Sequence, residues 1–159
     1  MAKLNDLLMY LNESNVKYEI VEHPPAFAAH DVATATHLPD RTFAKTLMLH
    51  IDGKFWMAVV RADQRVDEKR VKRSFSATHV HLAHEEELKP LFPDCELGAM
   101  PPFGNLYALP VIVDNGLAED EEILFNACTH SRSVKMKYKD YRKLVLPLVG
   151  DIATAASPL

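Results

Sequence analysis

Phe43-Ala44-Lys45-Thr46-Leu47-Met48-Leu49-His50-Ile51 is a run whose length and apolar content predict a β-strand. Asp52-Gly53 follows directly and is the strongest hairpin signal in the chain. Residues 54–61, again largely apolar, are therefore predicted to return as the second strand of a hairpin.

Lys45 carries the only formal charge on the apolar face of the first strand. Alternate side chains of a strand share a face, so Lys45 points the same way as Leu47 and Leu49. Taking an ammonium group out of water is costly, which leaves two interpretations. The lysine either extends its charged end into solvent from the strand end, or it lines a pocket and meets an anionic or carbonyl group.

Around this hairpin, hydrophobic spacing predicts short helices and short strands. Helices are predicted at residues 2–14, from Asp31 to before Pro39, at 67–75, at 84–91 and near 138–143. Further strands are predicted at residues 18–21, 77–82, 109–113, 123–126, 133–136 and 144–146. Because strand and helix do not alternate regularly, this order predicts an α+β fold, a mixed sheet or barrel with helices packed around it.

Length and composition indicate an ordinary globular protein. A chain of 159 residues fits one domain, predicted at residues 1–150, with a frayed tail at 151–159. No apolar run approaches the roughly 20 residues that span a bilayer, and the N-terminus lacks the apolar stretch of a secretory signal. Cys95 and Cys128 are too few for a disulfide framework, so a reducing cytoplasm is the expected location.

Charge is unevenly distributed along the chain. The net charge of -4 argues against a protein that coats nucleic acid by bulk electrostatics. Basic residues nevertheless concentrate in residues 61–73 and 130–143, and acidic residues in 85–87 and 119–122. This segregation could give a local basic face for a phosphate backbone, although solvated helix faces explain it equally well.

Standard catalytic and metal-binding motifs are missing from the sequence. The best histidine cluster, His79, His81 and His84, matches no standard zinc spacing, even with the two cysteines added. There is no Gly-x-Ser-x-Gly elbow, no phosphate loop and no dinucleotide fingerprint.

Two polar or glycine-rich segments are candidates for a site. In Gly98-Ala99-Met100-Pro101-Pro102-Phe103-Gly104, glycines permit unusual backbone conformations and prolines stiffen the rest. The remaining N–H groups would then be fixed to meet a carbonyl or carboxylate, unless the loop is only a stiff connection. In residues 126–132, a polar break between two strand-like runs, His130 could donate to a substrate oxygen or be an exposed turn residue.

Together these segments resemble the YbaK family, also described as the prolyl-tRNA-synthetase-associated editing domain. The resemblance is carried by Ala44-Lys45-Thr46-Leu47, by the Gly98-x-x-x-Pro102 loop and by the turn from Asn126 to His130 ahead of Met136-Lys137-Tyr138. Residues 22–27 and 92–97 support it, and the likeness extends from the first helix to about Leu146.

The resemblance implies a mixed, barrel-like sheet surrounded by helices, and hydrolysis of the ester in a mischarged aminoacyl-tRNA. Lys45 would be the residue most tied to activity, fixing the aminoacyl group or the terminal phosphate without attacking covalently. The loop from Gly98 to Pro102 would position the aminoacyl group and the attacking water. No metal or organic cofactor is expected. The expected partners are the aminoacylated end of a tRNA and a possible synthetase, with no membrane and no DNA.

Two departures from the family pattern leave the substrate open. Thr46 stands where several alanine-editing members have asparagine, and Ala127-Cys128-Thr129-His130 replaces a glycine-containing turn. The predicted substrate-binding residues are Thr46, Gly98, Ala99, Met100, Pro101, Pro102, Thr129 and His130. The candidate amino acids are alanine, serine and threonine. The alternative is a non-catalytic module of the same fold that binds aminoacyl-tRNA or a synthetase.

Overall fold

The computed structural model describes residues 4–23 and 43–155. Within them, the helices are α1 (Leu4–Glu13), α2 (Glu68–Phe75), α3 (Glu85–Leu91), α4 (Asn115–Ala118) and α5 (Tyr138–Val145). The strands are β1 (Tyr18–Glu22), β2 (Ala44–Ile51), β3 (Lys54–Arg61), β4 (Gln64–Val66), β5 (Val80–Leu82), β6 (Val111–Asp114), β7 (Glu122–Asn126), β8 (Arg132–Lys137), β9 (Leu148–Gly150) and β10 (Ala153–Ala155).

The strands form a mixed arrangement, as predicted. The main sheet has the order β5-β2-β3-β6-β9, with β2 antiparallel to both neighbours and β6 parallel to β3 and β9. A second, antiparallel sheet has the order β1-β8-β7, and β4 pairs with β10. An isolated parallel bridge between Phe43 and Leu124 connects β2 to β7. The described sheets do not close into a barrel, so the barrel-like expectation holds only as an open arrangement.

The predicted hairpin is confirmed at the centre of the main sheet. β2 and β3 pair residue by residue from Ala44 opposite Arg61 to Ile51 opposite Lys54. Asp52 and Gly53 form the turn with φ values of 49° and 84°, the two positive angles that a tight two-residue hairpin requires.

Alternate residues of β2 face two separate hydrophobic cores. Met48 packs into the larger core, with Leu7 and Leu11 of α1 and Tyr141 of α5. Leu49 faces the other core, which α2 covers. Lys45 therefore lies on the face of Leu49, as the two-residue period predicts.

The strand predicted at residues 144–146 is wrong. Helix α5 continues through Val145, and Leu146 ends it in the left-handed conformation with φ 52° and ψ 56°. The Leu146 N–H donates to the Arg142 carbonyl oxygen over 2.9 Å. A short apolar run cannot by itself separate a last helical turn from a strand, and the strand forms instead at β9.

The chain does not fray directly after Asp151. Ile152 is fully buried, and β10 pairs with β4 from Ala153 opposite Val66 to Ala155 opposite Gln64. The buried Asp114 carboxylate fixes this segment, because its Oδ1 accepts from the N–H groups of Ile152 at 3.0 Å and Ala153 at 2.9 Å. The expectation of a frayed tail is corrected for residues 152–155.

Other differences concern short or undescribed elements. Strand β4 and helix α4 are too short to leave a periodic signal, and the sequence did not predict them. The helix predicted to open at Asp31 lies outside the described residues. None of the helices in the described ranges is long and apolar enough to cross a membrane.

Candidate active site

A cavity of about 330 Å³ lies beside the first half of β2. Of the predicted site residues, it brings together Lys45, Thr46, Gly98 and Met100, and it adds Asn126. Its remaining walls are Phe43, Ala44, Leu47, Met48, Leu82, Ala83, Glu85 and Leu88. The cavity therefore combines a cation, backbone groups, an amide and apolar surface.

The cavity exists because β2 loses its neighbour there. β5 pairs only with residues 49–51 of β2, and the Ala83 N–H makes a last contact of 2.9 Å with the Met48 carbonyl oxygen. Backbone groups two residues apart point to the same edge of a strand. The N–H and carbonyl of Thr46 consequently face the open edge, where β5 no longer covers them.

The bridge between Phe43 and Leu124 brings the strands that carry Lys45 and Asn126 together. Two residues further along each of these parallel strands stand Lys45 and Asn126, on the same face as the bridged pair. Both line the cavity. The side-chain oxygen Oδ1 of Asn126 is buried and has no hydrogen-bond partner among the described residues.

The half-buried position of Lys45 shifts its pKa. Burial lowers the pKa of its ammonium group, and the negative charge of Asp63 opposes this shift in part. No carboxylate of the described residues forms an ion pair with Lys45. Its charge is therefore available for an anionic or developing negative group in the cavity.

This lowered pKa predicts that Lys45 costs stability at neutral pH. The unfolded chain, with a lysine pKa of about 10.4, holds the proton more tightly than the folded chain. The cost is therefore fully present below the folded-state pKa and disappears as pH rises through the range between the two values. We expect Lys45→Met to raise the free energy of unfolding at pH 7, with a smaller gain at pH 10, both measured by urea denaturation. The exposed Lys54→Met variant is the control, and a Lys45→Met protein less stable than wild type at pH 7 contradicts the prediction.

The loop at residues 98–102 is held in place by the turn after β7. Gly98 has φ 84°, the left-handed region that favours glycine. The Ala99 carbonyl accepts from the Cys128 N–H at 2.9 Å, and the Glu96 N–H donates to the Cys128 carbonyl at 2.9 Å. No hydrogen bond joins the N–H groups of Gly98 and Met100 to another described residue. These two donors lie on residues that line the cavity.

The other predicted loop residues are buried next to the residues that line the cavity. Ala99, Pro101 and Pro102 are buried and do not line it. The Pro102 carbonyl accepts a 2.6 Å hydrogen bond from the hydroxyl of Tyr141, which is fully buried in α5. This bond anchors the far end of the loop to the core.

Thr129 and His130 also lie outside the cavity lining. Thr129 Oγ1 accepts from the Arg132 N–H at 3.1 Å, which closes the turn. His130 is buried, with its Nε2 2.8 Å from the Leu97 carbonyl oxygen, so Nε2 carries the proton that is donated. His130 therefore braces the loop that precedes Gly98; the sequence allowed either a donor to a substrate oxygen or an exposed turn residue, and the buried ring excludes the second.

The two cysteines connect the same segments. Cys95 and Cys128 form a disulfide that links the residues before Gly98 to the turn after β7. The sequence predicted no disulfide, because two cysteines 33 residues apart carry no signal of proximity. No group of three or more His, Cys, Asp or Glu side chains in the described ranges is arranged to hold a metal ion.

Asn126 is a polar cavity residue outside the predicted set of site residues. A weak signal existed, since this polar residue ends the apolar run Ile123-Leu124-Phe125 inside a segment that carried the family resemblance. Its position next to Lys45 depends on the pairing of β2 with β7, which local sequence does not reveal.

The fold and the cavity define an α+β domain that offers a lysine, free backbone N–H groups and an amide to a small ligand. Residues 23–144 match the aminoacyl-tRNA editing domain, and the chain belongs to this family. The match confirms the predicted resemblance to the YbaK-type editing domains.

Two relatives agree with this assignment, and a solved structure has the same fold. The chain is 31% identical over 107 residues to a proline–tRNA ligase of Bacillus cytotoxicus, covering 67% of this chain and 19% of the ligase. It is 27% identical over 127 residues to a proline–tRNA ligase of Bacillus mycoides, and the match covers 80% of this chain and 22% of the ligase. The chain thus spans about a fifth of these relatives. A crystal structure of a proposed trans-editing enzyme for prolyl-tRNA synthetase has the same fold, with a TM-score of 0.82 and 20% identity. The match covers 96% of this chain and 97% of the chain in that structure.

Proposed function

We propose that this protein deacylates mischarged aminoacyl-tRNA in trans, releasing alanine, serine or threonine in the cytoplasm. The observation that carries the proposal is that Lys45 lines the same cavity as Gly98 and Met100, whose N–H groups have no hydrogen-bond partner among the described residues. Membership of the aminoacyl-tRNA editing domain family supports the same function.

The cavity has the groups that hydrolysis of an activated ester needs. Water attacks the ester carbonyl carbon, its oxygen becomes negatively charged, and the bond to the ribose oxygen then breaks as that oxygen takes up a proton. Lys45 and a loop N–H group would stabilise the developing oxyanion, while the other loop N–H group orients the aminoacyl group or the water. Lys45 acts here as a charge and not as a nucleophile.

The size of the cavity favours small amino acids. About 330 Å³ must hold the aminoacyl group and part of the terminal ribose, and the walls include Leu82, Leu88 and Met100. An apolar pocket discriminates by excluding larger side chains, and it separates near-isosteres poorly. Alanine, serine and threonine are therefore proposed together.

A synthetase is proposed as the partner that supplies affinity for tRNA. Several basic residues of the described segments are already paired with carboxylates: Arg61 with Asp120, Arg70 with Asp151, Arg132 with Glu22, and Lys135 with Glu19. These pairs reduce the positive field available to a phosphate backbone. The relation to segments of proline–tRNA ligases supports a prolyl-tRNA synthetase in this role.

A deacylation panel tests the proposal. Purified protein is incubated with tRNAs charged with alanine, serine, threonine, cysteine and proline, with and without a prolyl-tRNA synthetase. We expect release of at least one of the first three, with prolyl-tRNA left intact as the matched control. A folded protein that releases none of them contradicts the enzyme, and saturable binding of aminoacyl-tRNA in that case favours the non-catalytic module.

A further inference from the structure

We infer that Asn126 recognises the free α-ammonium group of the aminoacyl ester, with Glu85 supplying negative charge to the same cavity. The inference rests on the proposed function and names a part of the substrate that the site reads. Asn126 would bind the aminoacyl group and take no part in the bond changes of hydrolysis.

The Asn126 side chain is an acceptor that lacks a donor. Its Oδ1 is buried and has no hydrogen-bond partner among the described residues, although the residue lines the cavity. Buried polar atoms are rarely left unpaired, because burial removes their hydrogen bonds with water and this is unfavourable unless a new partner replaces them. A ligand that brings N–H groups into the cavity would complete this site, and an ammonium group brings three.

The position of Asn126 fits the geometry of an aminoacyl ester. The α-nitrogen and the ester carbonyl of the substrate are separated by a single carbon atom, so their binding groups must be neighbours. Lys45 and Asn126 line the same cavity, and each lies two residues beyond the bridged pair Phe43 and Leu124, on one face. Lys45 is then placed for the carbonyl oxygen and Asn126 for the adjacent nitrogen.

The charges in the cavity also support placing the carbonyl oxygen at Lys45 and the α-nitrogen at Asn126. An α-ammonium group beside Lys45 is repelled unless a negative charge balances it. Of the described residues that line the cavity, Glu85 alone carries a carboxylate, and it is exposed in the first turn of α3. A neutral amide at Asn126 can lie next to Lys45 without forming the ion pair that a carboxylate there would form.

The test compares two substrates that differ only at the α-nitrogen. Single-turnover rates are measured on the aminoacyl-tRNA released fastest by wild type and on its N-acetyl derivative, which lacks the charge and two of the donors. Wild type is expected to prefer the free amine, and Asn126→Leu to reduce the ratio of the two rates by about 10- to 100-fold, the size of a hydrogen bond to a charged group. Glu85→Gln should decrease the ratio as well, because it removes the carboxylate that lines the cavity.

Controls separate the failure of this inference from failure of the proposed function. Asn12→Leu, at an exposed asparagine of α1, should leave the ratio at the wild-type value. Circular dichroism shows whether each variant folds; if Asn126→Leu does not, Glu85→Gln decides, and an unchanged ratio in that variant overturns the inference. An unchanged ratio in a folded Asn126→Leu protein overturns the inference while deacylation by wild type stands. Absence of deacylation by wild type overturns the proposed function itself.

Discussion

Lys45→Ala is expected to slow deacylation by at least about 100-fold while the protein remains folded. Removing one preorganised donor to an oxyanion typically costs 10²- to 10³-fold in rate, and Lys45 is the only cation among the described residues that line the cavity. The measurement is the single-turnover release of the amino acid from the best substrate of the panel, together with the far-UV circular dichroism spectrum.

Two further variants sharpen this result. Lys54→Ala removes the same charge from an exposed position at the hairpin turn, and its activity should equal that of wild type. Lys45→Arg keeps the charge on a wider group and should restore part of the activity, because a guanidinium does not occupy the same point as an ammonium. Wild-type rates in a folded Lys45→Ala protein would falsify the role assigned to this lysine.

Gly104→Ala is expected to lower the free energy of unfolding by about 3 kcal/mol, as overpacking of a rigid core does. An added Cβ would sit against the Leu109 carbonyl oxygen and 2.5 Å from Cγ2 of Val111. The backbone cannot move away easily, because the Gly104 carbonyl accepts from the N–H groups of Tyr107 at 2.9 Å and Leu109 at 2.8 Å. Urea denaturation measures the difference.

Gly53→Ala is the matched control for this prediction. Gly53 has φ 84° and open space around it, with nothing within 4 Å of an added Cβ. We expect a loss of about 1 kcal/mol there, from the left-handed conformation alone. If Gly104→Ala costs no more than Gly53→Ala, the close packing at Gly104 is not what makes glycine necessary.

The features predicted correctly from sequence are those with local causes. The turn at Asp52 and Gly53 requires positive φ angles, and the alternation in β2 fixes the face of Lys45. The stiff loop from Gly98 was also recognisable, since its conformation follows from its own glycine and prolines. For these elements, neighbouring residues carry the information.

The features that sequence did not predict depend on distant contacts. Asn126 joins the site because β7 bridges to β2, and the buried His130 donates from Nε2 to the carbonyl oxygen of Leu97, 33 residues away. Gly104 was expected to serve an unusual backbone angle, but its neighbours Leu109 and Val111 require it for lack of space. Each of these facts becomes visible only when separate segments are brought together.

The polar groups and part of the apolar wall of the cavity come from different elements, which has a consequence for evolvability. Lys45 and Asn126 stand on β2 and β7, whereas Leu82, Ala83 and Leu88 contribute wall from the segment that contains β5 and α3. Substitutions in that segment can enlarge or narrow the space without displacing the polar groups. After gene duplication, two copies could therefore diverge toward different amino acids by drift at a few apolar positions, while inheriting the same hydrolytic apparatus.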